Sequence, residues 1–398
     1  MNITKDIKKA KIANQWFFFI CGLGLSCWAP LVPFAKERLD LTDSDLGLLL
    51  LLLGGGGMLM MPLSGVLTSK FGSRKIMLFG SIIIALTIPI LAISSSIFIM
   101  SLTLFLFGGG IGMVDVSMNT HGVIIEKHYQ KPIFSFLHGL FSVGALVGAL
   151  CVSFFIKWGL TPFYATLILS TFILIILYNQ QRNLLSLDFE KNENGNSMIK
   201  EEKEEVRTNA WLSGKVLLLG FFCFSFFLVE GAMLDWSAIF LNDVKRIPIE
   251  LAGMGYAAFS VAMAGMRLIG GQVIAKISSH QVIVGGGIVA IIGLLLIIFS
   301  NATFLILGGF AFVGIGVANS VPVLFSEGGK IEKMKISLVL SVITTLGYSG
   351  QLAGPVLLGF IAQHSSLSVA FLFLIIMLFV VLLIYISKLI ILNFRIQK

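Results

Sequence analysis

Apolar residues run along this chain in long blocks, each closed by a short polar turn. A helix rises 1.5 Å per residue and needs about 20 apolar residues to cross some 30 Å of hydrocarbon. Twelve blocks meet that length, near 12–34, 46–69, 76–94, 99–125, 133–156, 161–179, 215–239, 251–275, 281–299, 302–326, 337–361 and 367–387. The turns are legible: LTDSDLG at 41–47 offers Thr42 or Ser44 as the cap of the second helix, and Ser94, Ser95 and Ser96 part the third from the fourth. Residues 180–214 break the pattern, being polar, charged and Asn-rich. They read as a tether between two six-helix bundles, 1–179 and 215–398, in which EEKEE at 201–205 winds at most a turn or two. The pattern predicts an all-α integral membrane protein with twelve transmembrane helices.

Composition agrees. Of 398 residues 57% are hydrophobic and 12% charged, with mean hydropathy +0.98, against about 25% charged in a soluble domain. The net charge of +8 does not form a nucleic-acid groove, because the cations sit in short clusters between apolar blocks. Of the 28 Lys and Arg, five lie in loops on one side (Lys36, Arg38, Lys157, Lys245 and Arg246) and Arg267 lies inside a block. The other 22 lie on the side of the N-terminus, which predicts that both termini are cytoplasmic. Lys5, Lys8, Lys9 and Lys11 imitate a signal peptide, but the apolar run continues through Trp28, Pro30 and Pro33. It reads as an uncleaved first helix, bent at the prolines. Cys21, Cys27, Cys151 and Cys223 all sit in apolar blocks without CxxC spacing, so neither a disulfide framework nor a metal site is expected. No nucleotide loop, HExxH or GxSxG occurs, so no enzyme and no cofactor are predicted, and energy must come from a gradient.

The two halves repeat. GVLTSKFGSRK at 65–75 returns as GQVIAKISSHQ at 271–281, and Gly144 and Gly148 pair with Gly350 and Gly354. Gly110 and Gly112 pair with Gly314 and Gly316, which sets Asp115 opposite Asn319. Pseudo-symmetric halves around a shared central site are the architecture of a rocking transporter.

The 65–75 segment resembles the signature between helices 2 and 3 of the major facilitator superfamily: Gly65, Lys70, Gly72, Arg74 and Lys75 fit, while Ser69 stands where the family has Asp. In the family that Asp helps latch the cytoplasmic side, so the resemblance implies a weakened latch with Lys70, Arg74 and Lys75 as gating residues. Asp115 with Asn119, together with HGLFSVG at 138–144 and EGAMLDW at 230–236, resembles the fucose-permease-like branch, in particular its uncharacterised bacterial inner-membrane members. This implies the major facilitator fold, a monomer in the bacterial cytoplasmic membrane, and a small-molecule cargo moved with protons. That branch also uses an Asp in helix 1, and this chain has no acid between Lys11 and Glu37, so fucose is not predicted.

Asp115 is the first candidate for the coupling group. A charge at the centre of a membrane helix costs roughly 2.5–3.5 kcal/mol, and such residues are functional candidates by default. Gly108, Gly112, Asp115, Asn119, Gly122 and Glu126 share one helical face, small and polar, turned to a cavity or hard against a neighbour. A carboxylate in a low-dielectric setting takes up protons more readily than in water, and its two forms can favour different conformations. The plain alternative is a packing Asp. Glu230, the second candidate for proton coupling, and Asp235 lie about 140° apart on their helix, so they do not share a face. Asp235, Trp236, Trp28, Asn119 and Asn319 are candidates for a cavity binding a sugar or related metabolite, by hydrogen bonding or stacking. Arg267, inside a span, needs a partner, and Glu230 and Glu327 both qualify; the resemblance, since the superfamily commonly places an Arg near this point of helix 8, implies a clamp on the inner gate. His138, with His121 nearby, can relay protons or simply cap helices. GGGG at 54–57 predicts close approach of helix 2 to a partner, taken to be helix 11. The leading expectation is proton-coupled symport of a small polar solute. A proton-driven exporter of a drug or metabolite and a non-transporting sensor or scaffold are the alternatives; the resemblance disfavours the drug antiporters, which usually carry a Gly-Pro motif in helix 5 that is missing here, and leaves metabolite efflux open.

Overall fold

The computed structural model describes residues 3–41, 43–190, 210–247, 254–331 and 334–396. Among them are twelve helices long and apolar enough to cross a membrane. In chain order these are α1 (Ile3–Ser26), α2 (Asp43–Phe71), α3 (Ser73–Ile93), α4 (Ile97–Tyr129), α5 (Phe134–Lys157), α6 (Pro162–Gln180), α7 (Gly214–Ile239), α8 (Met254–Lys276) and α9 (Ser279–Phe299). They continue with α10 in two pieces (Thr303–Val317 and Ser320–Gly329), α11 (Ile336–His364) and α12 (Leu367–Ile396). Large apolar side chains such as Leu59, Phe98, Val261 and Phe304 are exposed, where a water-soluble surface would carry charge.

The bends have local causes. α1 stops at Ser26, and the chain goes on through a 3-10 turn (Ala29–Leu31) into a short helix (Val32–Arg38). Pro30 and Pro33 each stand in the first turn of these segments, where a missing N–H costs nothing. A single residue, Gly72, turns α2 into α3 with φ 87°, a conformation that favours glycine. α7 ends in a π-helical turn, Phe240–Val244. Helix α2 already begins at Asp43, so Ser44 lies inside it rather than capping it. Thr42 and the EEKEE segment lie outside the described residues.

Two helix ends are closed by cations from loops on the predicted outer side. Arg38 donates to the carbonyls of Leu91, Ala92 and Ser94 at 2.8–2.9 Å, at the C-terminus of α3. Lys245 donates to those of Ile298 (2.8 Å) and Ser300 (2.7 Å), at the C-terminus of α9. The last carbonyls of a helix lack intrahelical donors and carry partial negative charge, so both cations are well placed. Partial burial pushes both groups below their ordinary pKa.

Glycines set the closest helix approaches. A Cβ on Gly56 would fall 2.0 Å from Phe105 O, and one on Gly108 1.8 Å from Leu53 O, so α2 and α4 meet backbone to backbone. The 54–57 glycines therefore press on α4, not on α11; it is Gly65 that meets α11, at Ser341. Glycine content announces a close approach without naming the partner.

The chain divides into two compact units. One comprises residues 1–133, 137–216 and 326–345, the other 134–136, 217–325 and 346–398. The main division, after Val216, falls two residues beyond the predicted tether, while the short segments 134–136 and 326–345 group with the opposite half from the one their sequence position suggests.

Candidate functional site

In the first unit the site is built on α4, whose depth is fixed by its neighbours. Gly112 packs on Gly57 of α2 and Gly110 on Gly80 of α3, and Ser64 Oγ donates to Met113 O at 3.1 Å. One turn further on, Asp115 is 4% exposed and Asn119 fully buried. Asn119 Nδ2 donates to Asp115 O (2.8 Å) and, weakly, to Asp115 Oδ1 (3.4 Å). From α1, fully buried Asn14 donates Nδ2 to Met118 O at 3.2 Å. Asp115 Oδ2 has no protein hydrogen-bond partner. The small, polar face predicted for α4 is thus divided: Gly108 and Gly112 meet α2, and the turn that carries Asp115 and Asn119 is bonded by Asn14 of α1.

Further along α4 lies a second polar group that the sequence does not announce. Leu185 N–H donates to His121 Nε2 at 3.3 Å, which makes Nδ1 the protonated nitrogen. Ser73 Oγ lies 2.6 Å from that Nδ1 and donates to Glu190 Oε1, while Ser73 N–H donates to Glu190 Oε2 at 2.9 Å. His121, Ser73 and Glu190 are all buried. Glu190 thereby holds the start of the tether against the N-terminus of α3, where a carboxylate is favoured. Glu126, still on α4, accepts from Ile133 N–H at 2.8 Å and from Ser326 Oγ. In sequence Glu190 looks like one more solvated charge of the tether, and Asn14 is signalled only as a lone amide at the start of an apolar run.

In the second unit Arg267 Nη2 lies 2.8 Å from Glu230 Oε1, and its Nε donates to Ala318 O at 3.0 Å. Ala318 lies at the break in α10, so the guanidinium meets both a carboxylate and a carbonyl freed by the interrupted helix. Glu327 pairs instead with Lys330, one turn along at 2.7 Å, so of the two predicted partners for Arg267 it is Glu230 that is observed. Asn319 donates to Met266 O at 3.4 Å and packs against Gly270 of α8.

The remaining candidates are dispersed. Asp235 is exposed, and half-buried Trp236 rests on Gly359 of α11. Trp28 is buried. His138 is half-buried with its ring edge on Phe18, centroids 5.3 Å apart. Lys70 reaches over the Phe71 ring, Arg74 is half-buried and Lys75 exposed. Among the described residues no group of three or more His, Cys, Asp or Glu could hold a metal ion.

Among the described residues, twelve helices of spanning length, glycine contacts between them, the buried Asp115 and the Glu230–Arg267 pair describe a multi-pass membrane protein. The chain belongs to the Major Facilitator Superfamily, whose family model matches residues 16–327. It is 41% identical over 361 residues to an uncharacterized MFS-type transporter of Yersinia pestis, covering 91% of each chain. It is 30% identical over 373 residues to the membrane protein MosC of Rhizobium meliloti, covering 94% of this chain and 88% of the relative. The crystal structure of the E. coli fucose:proton symporter FucP superposes with a TM-score of 0.71 at 14% identity, covering 95% of this chain and 98% of that one.

Proposed function

We propose that this transporter carries a small polar solute, a sugar or related metabolite, into the cell by alternating access, coupled to protons through Asp115. The observation that supports this reading is a carboxylate almost without exposure, one oxygen of which has no protein partner. An acid kept at that cost in an apolar setting is poised to bind and release a cation. Asn119 orients the other oxygen and Asn14 ties α1 alongside. Glu230 serves as counter-ion to Arg267, which makes it the lesser candidate for proton transfer. The protein works as a monomer in the bacterial cytoplasmic membrane with both termini inside. The basic turn 70–75 meets lipid headgroups and shapes the inner gate, and His138 lies on the proton's way to the cytoplasm.

Thermal stabilisation across a metabolite library would identify the cargo, followed by flux into proteoliposomes under an imposed pH gradient. Asp115→Asn is expected to abolish accumulation against a gradient while retaining exchange of labelled for unlabelled solute. Normal proton-driven accumulation by that variant would remove Asp115 from coupling. Extrusion of the cargo in place of uptake would establish the exporter.

A further inference from the structure

Two buried amides beside Asp115 carry information that a proton site does not use. Asn14 Nδ2 is committed to Met118 O, and Asn119 Nδ2 to the backbone and side chain of Asp115. These bonds fix which way each amide faces, since a flipped amide would set oxygen against carbonyl oxygen. Three acceptors are then left without a protein partner: Asn14 Oδ1, Asn119 Oδ1 and Asp115 Oδ2. All belong to side chains between 0% and 4% exposed. All three side chains lie on or against one stretch of α4. Residues 115 and 119 are one helical turn apart, and the Asn14 head group is bonded to the backbone of residue 118.

A buried acceptor left unpaired is costly. A proton on Asp115 Oδ2 supplies one donor, enough for at most one of the two amide oxygens. A small cation ligated by them would satisfy all three. The donor set is oxygen alone, which suits a hard ion, and it carries a single negative charge, which suits a monovalent one. We propose that Asn14, Asp115 and Asn119 form a binding site for a dehydrated alkali cation of sodium's size. The proposal rests on Asp115 being the coupling group and makes sodium an ion that can occupy it.

The test is thermal unfolding of the purified full chain at fixed pH and constant ionic strength, with NaCl, LiCl or KCl replacing choline chloride. Wild type is expected to rise by a few degrees in a saturable manner with sodium, and less with potassium, as a ligand bound only by the folded state requires. Asp115→Asn should abolish the saturable rise. Asn14→Ala and Asn119→Ala, each compared with its own sodium-free midpoint, should weaken the apparent sodium affinity by about tenfold or more. No sodium-specific rise in wild type, or a rise that survives Asp115→Asn, overturns the proposal. Proton-driven uptake that needs Asp115 but shows no sodium effect would refute this site alone. Uptake independent of Asp115 would refute the coupling role itself.

Discussion

The Glu230–Arg267 pair is held at 2.8 Å with both side chains largely buried, 13% and 8% exposed. Breaking such a pair from one side leaves an uncompensated charge and costs about 3–5 kcal/mol, whereas removing both partners costs much less. Glu230→Gln and Arg267→Met are each expected to lower thermal stability sharply, and the double variant to fall well short of their combined effect. Arg267→Met with Glu327→Gln should instead be additive, because Glu327 is bonded to Lys330 in a largely exposed pair of the kind usually contributing about 0–1 kcal/mol. Unfolding midpoints of the three single and two double variants in detergent decide between the two couplings. That Arg267 must have an acidic partner is legible in the sequence, because a guanidinium in a span cannot stand alone. Which acid it takes is not, since that depends on where the break in α10 leaves the Ala318 carbonyl.

At the scale of helices, Arg38 and Lys245 occupy matching places in the two halves, each binding carbonyls at the end of the third helix of its own half. A cation at a helix C-terminus is worth up to about 2 kcal/mol where partly buried. Arg38→Met and Lys245→Met should each destabilise by about 1–2 kcal/mol, with faster hydrogen exchange confined to the C-terminal turns of α3 and α9. No acceleration there would mean that the bonds are not maintained in the membrane. The tether's start makes a similar claim on α3. Every bond in the chain Leu185, His121, Ser73, Glu190 has one workable direction, ending on a carboxylate whose two oxygens both accept. Glu190→Gln puts an amide donor where an acceptor is needed. Amides of residues 184–190 are therefore expected to exchange at least about tenfold faster in that variant, a loss of roughly 1.4 kcal/mol of local stability. Asp188→Asn, at an exposed position, serves as the control and should exchange like wild type. Helix positions were readable because length and hydropathy alone define a span. The tether contact was not, because no periodicity distinguishes a buried Glu from a solvated one.

For the whole molecule, the two capped helix ends change how the charge distribution reads. Five cations stand on the predicted outer side, but Arg38 and Lys245 are already bound to helix carbonyls and are there for local structural reasons. Lys36, Lys157 and Arg246 remain on that side, against 22 in all on the other. The native thiols are well suited to a direct test: Cys21, Cys27 and Cys223 are buried and Cys151 is half-buried, so background labelling by a membrane-impermeant thiol reagent should be low. Lys75 and Lys157 are exposed positions at opposite ends of the spans. With both termini inside, Lys157→Cys should label in intact cells and Lys75→Cys only after permeabilisation. The reverse pattern would invert the molecule and, with it, the direction of the coupling proposed for Asp115.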